Sequence, residues 1–482
     1  MKALHRIPAW VSLAVGWLGF MAYAFPGYMS YDSVLQLLEA RAGEYSEGHP
    51  PVMAATWSIV DYVIAGPIGM LVIQSVCFLG GVYLIMRSRM SAKLAAPLAS
   101  LILWFPIVST TMAVIWKDSQ MAGYLALGTG LLLSPRRGPR VVGLAMIWMA
   151  TAMRWNALAM TLPIVTILFV WNPAYRWWKR YSISVAAWLA ITLSVQVASA
   201  ALVTRNAHLW QSGMALLDIV GTLRYAPDLT DAEIKTLLDG CPLVPSSDLQ
   251  AKTRIPIEDW NFAAELWDVT NGYFKVPSNE QERLALSGAW KRVVIAHPKP
   301  YLTYRWKIFA QVLQLPDVPE ANRGSAIYQW FTDIQDPVAS GQSIEHTATS
   351  SKLQEKLRQL MWWLGSTRLF QAYIYFFLAI ALLAFCFRDR ESFGLLMSGL
   401  VGESALFIVA PITDWRYSFW LVVSTCVALA LLIARRARPR RGGSLAGTPL
   451  AVYKLERDGG ACRDVGSGGC LQRRQGDSRG GG

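Results

Sequence analysis

The sequence predicts an all-α polytopic membrane protein with about ten transmembrane helices. Of its 482 residues, 54% are hydrophobic and 16% are charged, whereas soluble proteins carry about a quarter charged residues. The apolar residues come in blocks of roughly 15 to 25, the length that a helix needs to cross a bilayer. Much of the net charge of +13 lies in short clusters between these blocks and in the C-terminal tail, so it indicates topology and not nucleic-acid binding.

The apolar blocks can be placed in order along the chain. They predict spanning helices near residues 8–27, 67–86, 94–113, 119–134, 141–154, 157–172, 182–203, 367–387, 393–411 and 417–434. The block 141–172 is long enough for a tight hairpin, which would turn at Arg154-Trp155-Asn156.

Two other stretches allow more than one interpretation. The N-terminal block resembles a signal sequence, but its apolar run is long and no clear small-x-small cleavage site follows. We therefore expect a retained first helix, with Lys2 and Arg6 in the cytoplasm. Residues 52–65 form a shorter apolar stretch that carries Asp61, and they are either a second surface helix or the start of the second span.

The distribution of basic residues supports this map. With about ten spans, every basic cluster falls on the same side as the N-terminus, as the positive-inside rule expects. Residues 28–51 and 204–366 then face outward, and both termini lie in the cytoplasm. The clusters are Arg87, Arg89 and Lys93; Arg136, Arg137 and Arg140; Arg176, Lys179 and Arg180; Arg388 and Arg390; and Arg435, Arg436, Arg438, Arg440 and Arg441.

The map divides the chain into four parts. The first is a transmembrane module that contains the outward loop 28–51, and the second is a mostly helical extracytoplasmic loop domain. The third supplies the C-terminal transmembrane helices, and the fourth is a Gly- and Arg-rich tail that we expect to be disordered. These parts are residues 1–203, 204–366, 367–434 and 435–482.

The large loop contains its own structural signals. Residues 230–233, Thr-Asp-Ala-Glu, are typical of a helix start, and residues 260–274 are rich in aromatic side chains. Residues 301–315 are amphipathic, so we expect them to lie on the membrane with Arg305 and Lys307 near lipid head groups.

The six cysteines predict neither a disulfide framework nor a structural zinc site. Three lie in apolar blocks, two lie in the tail, and only Cys241 lies in the large polar loop. The sequence contains no CxxC, HExxH or DxD motif, so it names no metal ligands.

The first outward loop is the stretch around which the rest is organised. Asp32, Gln36 and Glu39 fall on one face of a predicted helix. Val34, Leu37 and Leu38 fall on another face. This pattern is typical of a short amphipathic helix at a membrane surface, with one face in lipid and a carboxylate facing water. Gly43 marks its end. Alternatively, Asp32 only stabilises the first helical turn, as acids do near the positive end of the helix dipole.

Charged and polar residues gather at the predicted outer ends of the spans. Any one of them could be an anchor at the membrane interface, because charges are costly at the bilayer centre and less so near its surface. Taken together, seven such side chains from four outer connections indicate a cavity that opens at the outer leaflet. They are Asp32, His49, Lys117, Asp118, Arg154, Asp414 and Arg416.

The residue types in this set indicate two chemical functions. A carboxylate can deprotonate a hydroxyl group, whereas Arg and Lys can hold a phosphate. Glycosyl transfer from a lipid-phosphate sugar needs both, because an acceptor hydroxyl loses its proton while the departing phosphate keeps its negative charge stabilised.

A series of short motifs accompanies these residues along the chain. They are Ser30-Tyr31-Asp32-Ser33, Gly48-His49-Pro50-Pro51, Trp116-Lys117-Asp118, Met153-Arg154-Trp155-Asn156, His297-Pro298-Lys299-Pro300-Tyr301 and Pro411-Ile412-Thr413-Asp414-Trp415-Arg416-Tyr417. With the layout of residues 1–434, they resemble the GT-C superfamily of membrane glycosyltransferases, which take sugars from polyprenyl-phosphate donors.

The resemblance implies a role for each of these positions. Asp32 would be the general base of an inverting glycosyltransferase. Three basic residues would bind the donor phosphate: Lys117, Arg154 and Arg416. Contacts to substrate or acceptor would come from His49, Asp118, Asp414 and Arg305.

The resemblance also implies partners and a location. The donor would be a polyprenyl-phosphate-linked sugar, the acceptor a glycan, lipid or protein, and the site would lie on the outer face of a bacterial inner membrane, among membrane lipids. No cofactor is implied with certainty, and a divalent cation stays open. Two features depart from the family: there is no WWD-type sequence, and Asp32 is followed by Ser33 where the protein mannosyltransferases carry a second acid.

Two other functional classes remain open from the residues alone. A transporter or flippase of a lipid-linked or anionic substrate would place charges or broken helices at mid-membrane and often has two related halves. The halves of this chain are unlike, and its polar residues gather at outer ends, which favours the enzyme. A non-catalytic partner in envelope polysaccharide synthesis would keep the architecture without needing Asp32.

Overall fold

The computed structural model describes residues 8–206, 208–243, 274–275, 277–316, 333–335, 343–345, 351–365, 367–411 and 413–437. Over these residues the chain is nearly all helical, and it includes one antiparallel pair of short strands, Asp333–Gln335 (β1) and Ser343–Glu345 (β2). The predicted all-α fold class with several apolar helices is confirmed. The predicted aromatic stretch lies outside the described residues except for its last residue. The tail also lies outside them, except for residues 435–437, which are helical and not disordered as expected.

Ten helices lie in residues 8–206, the described N-terminal part of the chain. They are Ala9–Ala24 (α1), Tyr31–Ala42 (α2), Pro51–Val63 (α3), Ile68–Arg87 (α4), Ala92–Leu103 (α5), Pro106–Met112 (α6), Lys117–Leu132 (α7), Arg137–Met153 (α8), Ala157–Pro163 (α9) and Trp177–Leu202 (α10). A π-helical turn, Ile164–Leu168, continues α9.

In the described part of the chain after α10, eight further helices follow. They are Ala215–Arg224 (α11), Asp231–Leu237 (α12), Glu280–Ala296 (α13), Pro298–Val312 (α14), Lys352–Gly365 (α15), Ala372–Cys386 (α16), Arg390–Val409 (α17) and Phe419–Ala437 (α18). A π-helical turn, Trp210–Met214, precedes α11, and 3₁₀ turns at Arg368–Phe370 and Trp415–Ser418 precede α16 and α18. The helix start predicted at residues 230–233 is confirmed, because the Thr230 side chain caps α12.

Every predicted apolar block coincides with a helix, but fewer than the predicted number are long spans. Among the described residues, four helices are long and apolar enough to cross a membrane: α4, α10, α17 and Arg416–Arg436, which covers all but the last residue of α18. The bent pair of α5 and α6 makes a fifth if it is one span. Other blocks form shorter apolar helices, such as α1 and α16.

The block 94–113 is not one straight helix. α5 and α6 meet at an angle of 71°. Pro106 is the first residue of α6, and the residue before it, Phe105, has an extended ψ of 127°. A proline disfavours helical backbone at the preceding residue, so the apolar block bends here.

Residues 52–65 form a helix of their own, α3, separated from α4 by a turn at Gly66, whose φ is +89°. The predicted turn at Arg154-Trp155-Asn156 is also found. α8 ends at Met153, Arg154 is extended, and α9 begins at Ala157.

Helix α2 forms where it was predicted and ends at Gly43, which has a left-handed φ of +68°. Its apolar face is not placed in lipid, however. Val34 and Leu37 are 2% and 1% exposed because they pack into the main core of the protein. The sequence shows that α2 is amphipathic but not which apolar surface covers it.

Close helix packing sets the position of α7, which carries two of the predicted site residues at its start. Gly81 of α4 lies against the backbone of Ala126 in α7, where a Cβ would come within 2.2 Å of backbone atoms. Gly123 of α7 lies equally close to α4, where a Cβ would be 2.7 Å from the Gln74 carbonyl oxygen. Small residues allow this approach of backbones between apolar helices.

A second buried apolar cluster lies in the chain after α10. It consists of side chains from α11–α14 packed with Leu406, Ala410 and Tyr417. We call it the second cluster. The last two of these residues belong to the connection between α17 and α18, so the second cluster packs directly against the stretch that carries Asp414 and Arg416.

Candidate active site

The start of α2 is fixed by a capping box. Ser30 is the N-cap: its hydroxyl accepts a bond from the Ser33 backbone N–H, and its own N–H donates to the Ser33 hydroxyl at 3.1 Å. This places Asp32 in the first turn, where a carboxylate is favoured by the helix dipole. The Ser33 hydroxyl also donates to the Ile115 carbonyl at 2.7 Å, which ties α2 to the residues before α7.

A short bridge joins the two chain segments more closely. The Tyr28 N–H donates to the Ala113 carbonyl, and the Ile115 N–H donates to the Tyr28 carbonyl, both at 2.9 Å. The Trp116 indole N–H donates to the Ser30 hydroxyl at 2.6 Å. The first turns of α2 and α7 are therefore held side by side by bonds to backbone and buried side chains.

This arrangement brings Asp32 to two basic side chains. Asp32 Oδ2 accepts a hydrogen bond from Arg416 Nη2 at 2.7 Å, and the same oxygen lies 3.9 Å from Lys117 Nζ. Lys117 Nζ also lies 3.2 Å from His49 Nδ1. The Asp32 and Lys117 side chains are 25% and 17% exposed, so this group is open to solvent on one side.

A second group adjoins the first. Arg154 pairs with Asp118, and its Nε donates to Asn156 Oδ1 at 2.6 Å. Arg416 Nε lies 2.7 Å from Asp414 Oδ2. Asp118 and Arg154 are only 1% and 7% exposed, so this pair is deeper than Asp32. Buried charges of this kind require a paired partner.

Aromatic rings hold the two arginines in place. The Arg154 guanidinium carbon lies 4.3 Å from the centre of the Tyr417 ring, and that of Arg416 lies 5.7 Å from the same ring. Arg416 also lies 4.8 Å from the centre of the Trp116 ring. Cation–π contacts of this length orient a guanidinium group while leaving its edge free for hydrogen bonds.

Seven of the predicted site residues thus lie together, and we call them the polar cluster. Its basic and acidic side chains are equal in number. The polar cluster consists of Asp32, His49, Lys117, Asp118, Arg154, Asp414 and Arg416. The sequence alone did not identify the bonding roles of Trp116, Tyr417 and Asn156. Trp116 and Tyr417 adjoin a charged residue in the quoted motifs, and Asn156 lies two residues after Arg154. This proximity was the available signal.

Electrostatics sets the charge state of Asp32 and His49. Burial would raise the pKa of Asp32, but Arg416, Lys117 and His49 outweigh burial and hold that pKa well below its usual range. Burial, reinforced by Lys117, lowers the pKa of His49 to about 4. Near neutral pH, Asp32 is therefore an anion and His49 is neutral, which allows His49 Nδ1 to accept a bond from Lys117.

Arg305 lies apart from the polar cluster. The predicted position near lipid head groups is wrong, because Arg305 is 3% exposed and pairs with Asp218 of α11. Its Nη1 donates to the Ala410 carbonyl at 3.0 Å. The amphipathic pattern predicts that Arg305 lies on a polar face of α14. It does not show that this face packs against Asp218, a buried carboxylate distant in sequence.

The polar cluster does not fit a divalent cation. No group of three or more His, Cys, Asp or Glu side chains in the described part of the chain is arranged to hold a metal ion. Each carboxylate of the polar cluster instead faces a basic side chain. A metal ion would have to displace these basic partners, which are themselves held by aromatic rings and hydrogen bonds.

Comparison with solved structures gives a structural likeness. No protein-family model and no curated protein sequence matches this chain. Among solved structures, it is similar to an archaeal oligosaccharyltransferase from Archaeoglobus fulgidus, in complex with an inhibitory peptide and a dolichol-phosphate. The two are 13% identical, with a TM-score of 0.36. The match covers 89% of this chain, which spans about half (50%) of that structure's length.

Proposed function

We propose that this protein is an integral membrane glycosyltransferase that moves a sugar from a polyprenyl-phosphate donor to an acceptor hydroxyl. The observation that carries the proposal is the position of Asp32, a solvent-accessible carboxylate held between Arg416 and Lys117 at the start of a helix. One potential proton acceptor thus lies directly beside two potential phosphate-binding groups.

The first step is binding of the donor phosphate by Arg416 and Lys117. Both side chains already bind a carboxylate, so a phosphate would compete with Asp32 for the same donors. Arg416 offers a planar fork suited to two phosphate oxygens, and Lys117 offers a point charge. Arg154 contacts the same Tyr417 ring as Arg416 and adds positive charge next to Arg416.

The second step is proton transfer to Asp32. Once a phosphate has taken hydrogen bonds from Arg416 and Lys117, the Asp32 carboxylate loses much of its stabilisation as an anion and becomes a stronger base. The acceptor O–H gives its proton to Asp32, and the acceptor oxygen forms a bond to the anomeric carbon of the sugar. The bond from that carbon to the phosphate oxygen breaks, and polyprenyl phosphate leaves with the electron pair.

The remaining residues of the polar cluster have supporting roles in this scheme. Asp414 orients Arg416, and Asp118 neutralises Arg154. Neutral His49 lies beside Lys117, where its free ring nitrogen can contact the acceptor or donor sugar. A single displacement of this kind inverts the anomeric configuration. The acceptor is a glycan, lipid or protein hydroxyl. The distribution of basic clusters, read by the positive-inside rule, supports a reaction on the outer face of the membrane.

The bend between α5 and α6 favours a second candidate function. Broken helices within a membrane are typical of transporters, where they line a substrate path. A transporter or flippase of a lipid-linked anion would use Arg416 and Lys117 to bind its cargo, and it would not break the bond between sugar and phosphate.

One experiment separates the two functions. Purified protein in proteoliposomes is supplied with labelled polyprenyl-phosphate sugars and candidate acceptors, and both free polyprenyl phosphate and lipid movement across the bilayer are measured. The glycosyltransferase proposal predicts release of polyprenyl phosphate together with labelled acceptor. Movement of intact donor without release would contradict it and support transport.

A further inference from the structure

The buried ion pair of Arg305 and Asp218 is the strongest charged feature outside the polar cluster. Arg305 of α14 and Asp218 of α11 are 3% and 4% exposed. Asp218 Oδ2 also accepts a hydrogen bond from the indole N–H of Trp290, on α13, at 2.8 Å. Three helices of the second cluster therefore meet at one carboxylate.

Arg305 connects this ion pair to the end of α17. Its Nη1 donates to the Ala410 carbonyl at 3.0 Å. Carbonyls at a helix C-terminus lack a partner within the helix, and Pro411 prevents the helix from continuing. Arg305 therefore satisfies a helix-end carbonyl six residues before Arg416.

Packing and a further hydrogen bond extend the connection to the polar cluster. Tyr417 belongs to the second cluster, and its ring lies beneath both Arg154 and Arg416. At the far end of the connection, the Ser418 hydroxyl donates to Glu403, a 1% exposed carboxylate of α17, at 2.7 Å. The stretch that carries Arg416 is thus held at both ends by buried ionisable side chains.

Stability alone does not account for such a pair. Removing two charges from water costs several kcal/mol per ion, and a buried ion pair is often no more stabilising than apolar residues of similar volume. The pair instead restrains geometry. A guanidinium group bound to both Asp218 and the Ala410 carbonyl fixes the angle at which the chain leaves α17.

We propose that Arg305 is a positioning residue that acts through Arg416. By holding Ala410, it sets the orientation in which Arg416 meets the donor phosphate, and it thereby links the helices of the second cluster to donor binding. The inference rests on the proposed function, because it assumes that Arg416 binds a lipid phosphate.

A double-mutant cycle on the full-length protein in detergent tests this inference. A short-chain polyprenyl phosphate is the probe, and its affinity is measured for wild type, Arg305→Met, Arg416→Met and the double variant. The control is Arg292→Met, since Arg292 of α13 also donates to two carbonyls, those of Leu237 and Asp239, at 2.9 and 3.0 Å. Thermal unfolding is followed for every variant, because a purely structural role would appear there.

The expected result is strong non-additivity. Arg305→Met should weaken binding by about tenfold in wild type but by less than about twofold when Arg416 is already Met. Arg292→Met should bind as wild type does. If Arg305→Met does not fold, Arg305→Lys keeps the charge opposite Asp218 without the fork, and the same non-additivity is expected.

Two outcomes would overturn the inference, and they are distinguishable. If wild type binds the lipid phosphate and the effects of the two substitutions on binding free energy are additive, Arg305 does not act through Arg416. The proposed function then still stands. If wild type does not bind the lipid phosphate, the proposed function fails and the inference fails with it.

Discussion

At the scale of single residues, the contacts of one Asp32 oxygen atom set the basicity of this carboxylate. Oδ2 lies 2.7 Å from Arg416 and 3.9 Å from Lys117, so in the free protein this carboxylate is stabilised as an anion and is a weak base. A phosphate that draws these basic groups away would increase its basicity. The proposed mechanism therefore couples donor binding to activation of the base.

The charge state of Asp32 leads to a prediction for the pH profile. The pKa of Asp32 lies well below the usual range, and that of His49 is about 4. Neither group therefore changes its charge between pH 5 and 8, and neither should cause a loss of enzyme activity in that range. Lys117→Met removes one group that lowers the pKa of Asp32, so the acid limb of kcat/KM should move to higher pH. Lys179→Met changes an exposed lysine outside the polar cluster and is the control.

The pH at which the acid limb falls, and not the overall rate, tests this prediction. Lys117→Met should also lower the overall rate, since Lys117 binds phosphate in the proposed mechanism. An acid limb at the same pH in wild type and Lys117→Met would show that Asp32 is not the group whose ionisation the profile reports.

Residue types could be predicted from the sequence more readily than their partners. The acids and bases of the polar cluster stand out because they interrupt apolar blocks near their ends. Asp32 and Arg416 are 384 positions apart, however, and nothing local to either residue indicates that they are paired. Arg305 was misplaced for the same reason, because its partner Asp218 lies on a different helix.

At the scale of helices, α4 and α7 determine where Lys117 and Asp118 lie. Gly81 of α4 allows its backbone to contact that of α7 at Ala126. Gly123 of α7 allows a second close contact, with the backbone of Gln74 in α4. The adjacent Gly80 has open space around it, with nothing within 4 Å of a Cβ built there. The two neighbouring glycines therefore provide a matched pair.

Valine at these two positions should have different effects. Gly81→Val forces α4 and α7 apart, which we expect to lower the free energy of unfolding by about 1 to 3 kcal/mol or more and to reduce activity. Gly80→Val makes the same change in helix propensity without a clash and should stay near wild type. Thermal unfolding in detergent measures both, and equal effects would contradict the packing account.

The helices themselves were predictable because their apolar blocks are continuous. α4 was predicted at residues 67–86 and is found at Ile68–Arg87. Bends and packing partners were not predictable in the same way. The break at Phe105-Pro106 depends on a local backbone preference inside an apolar run, and the burial of the apolar face of α2 depends on helices far along the chain.

At the scale of the whole molecule, the two buried apolar clusters meet at the connection between α17 and α18. This connection carries Asp414 and Arg416 on one side and packs Tyr417 into the second cluster. We expect the second cluster to face the outer side of the membrane together with α2, because the basic clusters assign the other side to the cytoplasm.

Cysteine labelling can test this orientation. In a background without native cysteines, Glu44→Cys after α2 should react with a membrane-impermeant reagent in intact cells. Gly138→Cys, in the first turn of α8, should react only after the membrane is opened. Labelling of Gly138→Cys in intact cells, with Glu44→Cys protected, would reverse the predicted topology.

The central claim, that Asp32 accepts the acceptor's proton, is tested most directly by Asp32→Asn. Asparagine keeps the size and much of the hydrogen bonding of Asp32 but cannot act as a base. The control is Asp61→Asn, which removes a carboxylate paired at 2.9 Å with Arg41, between α2 and α3 and outside the polar cluster.

The measurement is release of polyprenyl phosphate from a donor that wild type uses, at equal amounts of folded protein. Loss of the base should lower the rate of Asp32→Asn by about a hundredfold or more, while Asp61→Asn stays close to wild type. An active Asp32→Asn would contradict the account and leave the proton to another carboxylate of the polar cluster.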